Sequence, residues 1–226
     1  MTFEDFKRMV SVSKEEICRK ILEGNRDKIK VKKEKKVVEN LVKIFDATLE
    51  ISNREGFSNM TVRNLSKKAG LSMGALYSYF SNKDELLEMI QAQGREISRR
   101  VLETQIGPID DPREKLRRAI QSHLYLSEAM QPWFYFSYIE ARNLSKTEQK
   151  KAIASEIDSE TVFLEIIEEG IRRGFYAVKD ITLVAPVLKA MLQDWYLKRW
   201  KYKQRKITID QYADFVVDFI EQYLSK

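Results

Sequence analysis

The chain has 226 residues, of which 43% are hydrophobic and 33% are charged, as expected for a soluble globular protein. Its formal net charge of +6 permits a nucleic-acid partner without requiring one. A single cysteine, Cys18, excludes an internal disulfide and a cysteine-cluster metal site, and it favours a cytoplasmic location. There is no signal-peptide pattern, and the apolar runs are too short to cross a membrane, so no membrane partner is expected.

Residues 1–36 form an N-terminal extension that carries a short helix and a basic arm. Ser13 and Glu16 are spaced as a capping box, and Gly24 is placed to end the helix that follows. The arm is rich in cations: Arg26, Lys28, Lys30, Lys32, Lys33, Lys35 and Lys36. Two interpretations stay open, a solvated linker or an arm that neutralises DNA phosphates.

Helical signals begin near Val37 and continue to the C-terminus, which predicts an all-α fold. Apolar residues recur at helical spacing from Val38 to Leu49, and Gly56 is placed to close that helix. Later helix starts are signalled by Asp111 before Pro112 and by two further capping boxes. We expect a DNA-binding domain over residues 37–90 and a ligand-binding and dimerisation domain over 91–226.

The segment 61–87 has the order of a helix-turn-helix, whose second helix can enter the DNA major groove. Thr61 is a good N-cap, Gly70 supplies the positive φ of a tight turn, and Ser72 can cap the second helix. Asn82 is placed to cap a third helix. A generic helical hairpin is the alternative, but the combined order of cap, glycine turn and later motifs disfavours it.

The leading end of the second helix carries side chains that are small or flexible, namely Ser72, Met73, Gly74 and Ala75. Such an end can approach a groove closely. Tyr77, Tyr79 and Lys83 offer donors suited to phosphate oxygens at the far end.

These residues make the segment resemble the DNA-binding domain of the TetR family of bacterial transcriptional regulators. The matching features are listed in chain order: Thr61, Ala69-Gly70, Leu76-Tyr77-Ser78-Tyr79-Phe80, Lys83 and Asp84-Glu85-Leu86-Leu87. The resemblance implies backbone or phosphate contacts from Thr61, Tyr77, Tyr79 and Lys83. It implies groove contacts from Arg63, Ser72, Met73 and Gly74.

The recognition helix itself contains no Arg, Asn or Gln, the usual bidentate readers of bases. Sequence readout would therefore depend on Arg63 and Asn64 of the preceding helix, on thymine-methyl contacts to Met73 or Ala75, and on DNA shape.

The second half of the chain is rich in aromatic residues, which suits either a plain core or the wall of an apolar cavity. Candidate ligand-binding residues are Trp133, Phe136, His123, Trp195 and Arg199. His123, the only histidine, cannot form a multi-histidine metal site, and burial in the core is the simpler interpretation. The stretch 194–200 is similar to regulators of fatty-acid metabolism within the TetR family, which implies an acyl or acyl-CoA effector.

The final helix carries an apolar stripe that predicts dimerisation as well as internal packing. Its members are Tyr212, Phe215, Val216, Phe219, Ile220 and Tyr223. A homodimer would place two recognition helices on successive major grooves of a palindromic operator.

The sequence thus predicts a ligand-responsive repressor, bound to a double-stranded DNA operator and released by a small hydrophobic effector. The alternative is an enzyme or carrier that uses the aromatic cavity. It is disfavoured because HExxH, P-loop and dinucleotide motifs are missing from the sequence. No catalytic residue, metal or cofactor is predicted.

Overall fold

The computed structural model describes residues 1–10, 13–27, 29–178 and 180–225. Over these ranges the chain is helical and contains no strand, which confirms the predicted all-α fold. The helices are listed in order: α1 Phe3–Met9, α2 Lys14–Gly24, α3 Glu34–Glu55, α4 Val62–Ala69, α5 Met73–Leu76, α6 Lys83–Ile106, α7 Pro112–Ala129, α8 Gln131–Glu140, α9 Lys146–Arg172, α10 Val184–Leu197, α11 Arg199–Gln204 and α12 Ile209–Leu224. In the described part of the chain, no helix is long and apolar enough to cross a membrane.

The chain divides into two compact units whose limits differ from the boundaries expected after residues 36 and 90. The head unit comprises Ser11–Glu96 and Pro132–Ala152. The body unit comprises Met1–Val10, Ile97–Gln131 and Ile153–Lys226. Residues 132–152 join the head because α8 packs on the helices of that unit.

The N-terminal extension is shared between these units and is not a unit of its own. Helix α1, which the sequence analysis did not predict, belongs to the body, where Phe6 is buried and its ring lies 5.8 Å from that of Tyr125. The Phe3 amide donates to Asp210 at 2.8 Å, which fixes the start of α1. Helix α2 belongs to the head, and Lys14 pairs with Asp46 of α3 at 2.7 Å. Each short helix buries its apolar residues on a larger surface, because neither could do so alone.

The head is built on α3, whose apolar face is fully buried. Val37, Leu41 and Ile44 are at most 1% exposed. Gly56 ends α3 with a φ of 84°, as its place after the last periodic residue predicts. A short 3₁₀ turn over Phe57–Asn59 then leads to α4.

The body is organised around a stack of aromatic rings. The Trp195 ring lies 4.9 Å from that of Tyr202 and 5.1 Å from that of Tyr212. Trp195 is fully buried, and its Nε1 donates to Glu128 at 2.9 Å. This part of the predicted cavity wall is therefore filled core.

Candidate nucleic-acid interface

The two helices of the motif are joined by the capping and turn geometry that the sequence predicts. The Thr61 hydroxyl accepts the Asn64 amide at 3.1 Å, and Asn64 Oδ1 accepts the Thr61 amide at 2.7 Å. This reciprocal box starts α4. Gly70 ends it in the left-handed region at φ 66°, where a side chain would be strained.

The inward faces of the motif form a small, completely buried core. Leu65 of α4 and Leu76 of α5 are 0% exposed, and Phe80 is buried beside them. This packing fixes α5 even though the helix has only four residues. The second helix is shorter than the sequence suggests because the chain turns at Tyr77, before Ser78 and Tyr79.

The leading end of α5 is an open, nearly uncharged surface. The Ser72 hydroxyl accepts the Ala75 amide at 3.2 Å and remains exposed. Met73 and Tyr77 are 41% and 43% exposed. A Cβ on Gly74 would meet no atom within 4 Å. This surface, Ser72–Tyr77, is named the recognition surface below.

The two polar residues of α4 expected to read bases are placed differently. Arg63 is exposed, and within the described residues no ion pair joins it to a carboxylate. Asn64 is half-buried, and its side-chain oxygen is engaged in the capping box. Thr61 is exposed, but its hydroxyl also serves the cap. Arg63 is thus the freer of the two base-reading candidates.

Tyr79 does not offer its hydroxyl to a phosphate, contrary to the prediction. The residue is 1% exposed, and its hydroxyl accepts Asn40 Nδ2 at 2.7 Å. Burial raises the pKa of Tyr79, and the bond from Asn40 opposes that rise only in part. Tyr79 therefore locks the end of the motif onto α3.

Lys83 is likewise a structural residue, because its ammonium group is already surrounded by backbone carbonyls. Nζ donates to the oxygens of Phe57 at 3.0 Å and Ser58 at 3.2 Å, and also to that of Met60. It lies 5.1 Å from the centre of the Phe57 ring. These contacts use its three donors, so Lys83 fastens the 3₁₀ turn to α6 and is no longer a phosphate candidate.

A basic cleft adjoins the recognition surface, with a volume of about 370 Å³. Lysines of the N-terminal arm line one side, and residues of α3 and the turn after α5 line the other. The lining residues used below are Lys32, Lys33, Lys36, Asn40, Ser78 and Tyr79. The sequence is compatible with the arm as either a linker or a phosphate contact. Lys28 lies outside the described residues, and the structure packs Ile29 and Lys30 of the arm against the motif.

Helix α8 is held against the other helices of the head by close packing and by buried hydrogen bonds. Trp133 lies so near Gly94 of α6 that a Cβ there would be 1.8 Å from the indole. The indole Nε1 donates to the Ile90 carbonyl at 3.2 Å. Glu140, 2% exposed, accepts the amide of Phe57 at 3.0 Å. These contacts join α8 to the turn before α4 and to α6, which follows the motif.

The five predicted ligand-binding residues do not gather in one unit. Trp133 and Phe136 are buried in the head, where the Phe136 ring lies 6.1 Å from that of Phe57. His123, Trp195 and Arg199 belong to the body. Arg199 already pairs with Glu128 through two nitrogens, at 2.8 and 2.9 Å. Its guanidinium is therefore already paired, and the five residues are divided between the two units.

The body nevertheless contains a buried cation that the sequence analysis missed. Lys189 of α10 is 4% exposed, and its Nζ donates to Ser159 at 2.9 Å. Burial lowers the pKa of Lys189, and Glu156, 3.5 Å away, opposes that effect. Burial, with help from the Lys189 charge, also lowers the pKa of His123. A charged residue inside an apolar helix stripe was the available signal, but lysine is usually placed on the surface.

The predicted dimerisation stripe divides into two rows. Tyr212, Val216 and Ile220 are buried within the body. Phe215, Phe219 and Tyr223 on the other side of α12 are 59%, 50% and 43% exposed. Leu183, just before α10, and Val187 within it are also exposed. These five exposed residues are named the apolar face.

A capped helix, a glycine turn and a second short helix with an open leading end together define a helix-turn-helix DNA-binding protein. Two protein-family models that match the chain agree that it is a helix-turn-helix protein. Residues 44–90 match the family described as bacterial regulatory proteins, tetR family, and residues 109–224 match the tetracyclin repressor-like C-terminal domain. The second match alone covers more than half of the chain, and therefore the protein belongs to the TetR family of bacterial transcriptional regulators.

Individual relatives show the same relationship. The regulator HbdR of Aromatoleum sp. (strain CIB) is 22% identical over 84% of this chain and 83% of its own length. The repressor KstR of Mycolicibacterium smegmatis is 34% identical over 42% of this chain and 50% of its own. The structure of FadR from Bacillus subtilis in complex with stearoyl-CoA shares the fold, with a TM-score of 0.64 and 21% identity. That match covers 80% of this chain and 97% of FadR. The chain is accordingly a DNA-binding regulator and not an enzyme.

Proposed function

We propose that this protein is a homodimeric repressor that binds a palindromic operator in the cytoplasm and is released by a small hydrophobic effector. The observation that carries the proposal is the open recognition surface, Ser72–Tyr77, held by a buried core and free of acidic residues. A helix end of this kind can approach the floor of the major groove without a steric or electrostatic penalty.

Base readout would combine one charged contact with apolar contacts. Arg63 is exposed and able to bind guanine through two nitrogens. Met73 and half-buried Ala75 suit thymine methyl groups. Tyr77 and Ser72 are exposed at the two ends of α5, where they can contact phosphates and fix its register.

Dimerisation is supported by the apolar face, because large exposed side chains on two neighbouring helices need a partner. The Phe215 and Phe219 rings stack on one another 6.1 Å apart. Pairing with the same face of a second copy would form a two-fold four-helix interface. Two recognition surfaces about 34–36 Å apart would then address successive major grooves.

We propose an acyl or acyl-CoA effector that binds in the body. The fold is shared with FadR of Bacillus subtilis, whose structure contains stearoyl-CoA. Within the body, buried Lys189 and half-buried His123 supply polar groups among apolar helices, and Lys189 would attract an acidic head group. Trp195 and Arg199 both bond to Glu128, and we assign them a structural role and no contact with the effector.

Release from DNA would be a population shift. An effector that prefers a conformation with the wrong spacing of recognition surfaces weakens operator binding in proportion to its differential affinity. Within the head, helix α8 is placed to transmit a conformational change to the motif. Trp133 and Glu140 bond to the segments that follow and precede it.

Selection of bound duplexes from a random pool, repeated with decanoyl to palmitoyl thioesters, tests this proposal. We expect an inverted repeat to be enriched and one of the thioesters to release it. Enrichment of no sequence would contradict operator recognition, whereas an enriched repeat that no thioester releases would contradict the effector class alone.

Substitutions of Arg63 and Lys83 should separate base reading from structural support. We expect Arg63→Ala to reduce discrimination between matched and scrambled operators by about 1–3 kcal/mol while leaving the melting temperature unchanged. Lys83→Met should instead lower the free energy of unfolding by about 2 kcal/mol, because three carbonyls lose a charged donor. Binding isotherms and chemical denaturation measure the two effects. Equal loss of affinity for all duplexes with Arg63→Ala would show that Arg63 contacts only the phosphate backbone.

A further inference from the structure

We propose that the basic cleft between the N-terminal arm and the recognition helix holds one backbone phosphate of each operator half-site. This inference rests on the proposed operator binding and adds a contact site outside the helix-turn-helix itself. It assigns the arm a fixed place on the DNA, in contrast to a flexible tail that wraps the duplex.

The cleft is positioned by a backbone hydrogen bond between the arm and the motif. The Lys30 amide donates to the Ser78 carbonyl at 2.9 Å. Ile29 beside it is 5% exposed, so an apolar anchor accompanies the bond. On the arm's other side, Arg26 Nη2 donates to the Lys32 carbonyl at 3.3 Å. These contacts hold the arm in register with the end of the recognition surface.

The opposite wall is equally fixed. Asn40 Nδ2 and the Tyr79 hydroxyl bond to one another at 2.7 Å, and both residues are buried. The Ser78 hydroxyl bonds to the Gly74 carbonyl at 3.3 Å, which connects the wall to the recognition surface. A cleft between two ordered walls loses little conformational entropy when it is occupied.

The charge of the cleft selects an anion. Lys32, Lys33 and Lys36 are all exposed, and over the described ranges none of them pairs with a carboxylate. The nearby acid Glu34 is directed to Arg19, at 3.2 Å. No side chain caps the N-terminus of α3, which begins at Glu34, so the helix dipole adds to the positive potential.

A DNA phosphate is the anion that this geometry fits. The cleft is open to solvent along lysine side chains, and Ala75 of the recognition surface also lines it. A duplex whose major groove receives the recognition surface necessarily presents its flanking phosphates to adjacent positive groups. Lysines provide point charges without base specificity, so the contact should strengthen binding to every sequence.

The experiment compares Lys32→Gln/Lys36→Gln with the control Lys150→Gln/Lys203→Gln in the full chain. The control lysines are exposed on α9 and α11, and their substitution removes the same amount of positive charge. We expect the cleft variant to weaken binding to matched and scrambled duplexes alike, on the order of tenfold at 0.15 M salt. The slope of log K against log salt should fall by about 2 per dimer, one unit for each cleft.

Operators with single neutral methylphosphonate linkages locate the contact. One linkage per half-site should weaken binding by the wild-type protein and have no effect on the cleft variant. Failure of the wild-type protein to bind any duplex would refute operator binding itself. Normal wild-type binding, together with a cleft variant that matches the control, would refute only the phosphate site.

Discussion

The double substitution Phe215→Lys/Phe219→Lys is expected to convert the protein into monomers and to weaken operator binding on the order of 10²–10⁴-fold. Both side chains are at least half exposed on α12, so the variant loses little of its own core. In a two-fold interface each lysine would face the apolar face of an identical subunit and its added charges. Once the subunits separate, each half-site must bind independently, and the advantage of the second contact is lost.

A matched control exists on α9. Ile153 and Ile157 are 60% and 57% exposed and have the same spacing of four residues as the phenylalanines. Ile153→Lys/Ile157→Lys should leave the dimer and operator affinity unchanged. Sedimentation velocity and fluorescence anisotropy with a palindromic duplex measure the two properties. A dimer that survives the α12 substitution would place the interface elsewhere.

Gly94→Leu is expected to lower the free energy of unfolding by about 3 kcal/mol, because the new side chain must displace a tryptophan. The indole of Trp133 fills the space above Gly94, where even a Cβ would be 1.8 Å from a ring atom. Displacement would also break the bond from Nε1 to the Ile90 carbonyl. For a chain of this size the melting temperature should fall by about 6–12 °C.

A double-mutant cycle isolates the contact between these two residues. In a Trp133→Ala background the same Gly94→Leu change should cost less than about 1 kcal/mol, since it enters vacated space. Ala92→Leu, on an exposed position of the same helix, should change stability by less than about 0.5 kcal/mol. Chemical denaturation followed by circular dichroism provides the values. An equal cost of Gly94→Leu in both backgrounds would show that the indole is not the obstacle.

Local rules in the sequence were sufficient to predict the helix-turn-helix. Thr61, Gly70, Ser72 and Asn82 each satisfy a backbone requirement within three or four residues, and all four adopt the predicted role. Leu65 and Leu76 follow from helical periodicity for the same reason. Short-range chemistry of this kind does not depend on distant packing.

Partners that are distant in the sequence were not predictable from the same rules. Tyr79 is locked by Asn40, which lies 39 positions away, and Lys83 by carbonyls more than twenty positions away. A tyrosine and a lysine near a recognition helix suggest phosphate contacts until their tertiary partners are known. Similarly, Trp133 and Trp195 were grouped by composition, although they pack in different units.

The N-terminal extension shows the same limit. The capping pattern at Ser13 correctly indicates α2, but nothing local indicates that the arm docks beside Ser78. Because the arm is basic, its charge alone fits both a linker and a phosphate contact. The hydrogen bond from Lys30 to Ser78 shows that this part of the arm is packed against the motif, and the phosphate contact stays a proposal.

Directed cleavage of operator DNA tests whether the surface Ser72–Tyr77 enters the major groove in two copies. An iron chelate would be attached at Met73→Cys and operator cleavage mapped on both strands. Native Cys18 should not react, because burial raises the pKa of its thiol to about 12. We expect two symmetric groups of cuts about 10 base pairs apart, one in each half-site. Cleavage scattered along the duplex, or no cleavage in the presence of bound protein, would show that the recognition surface does not lie in the major groove.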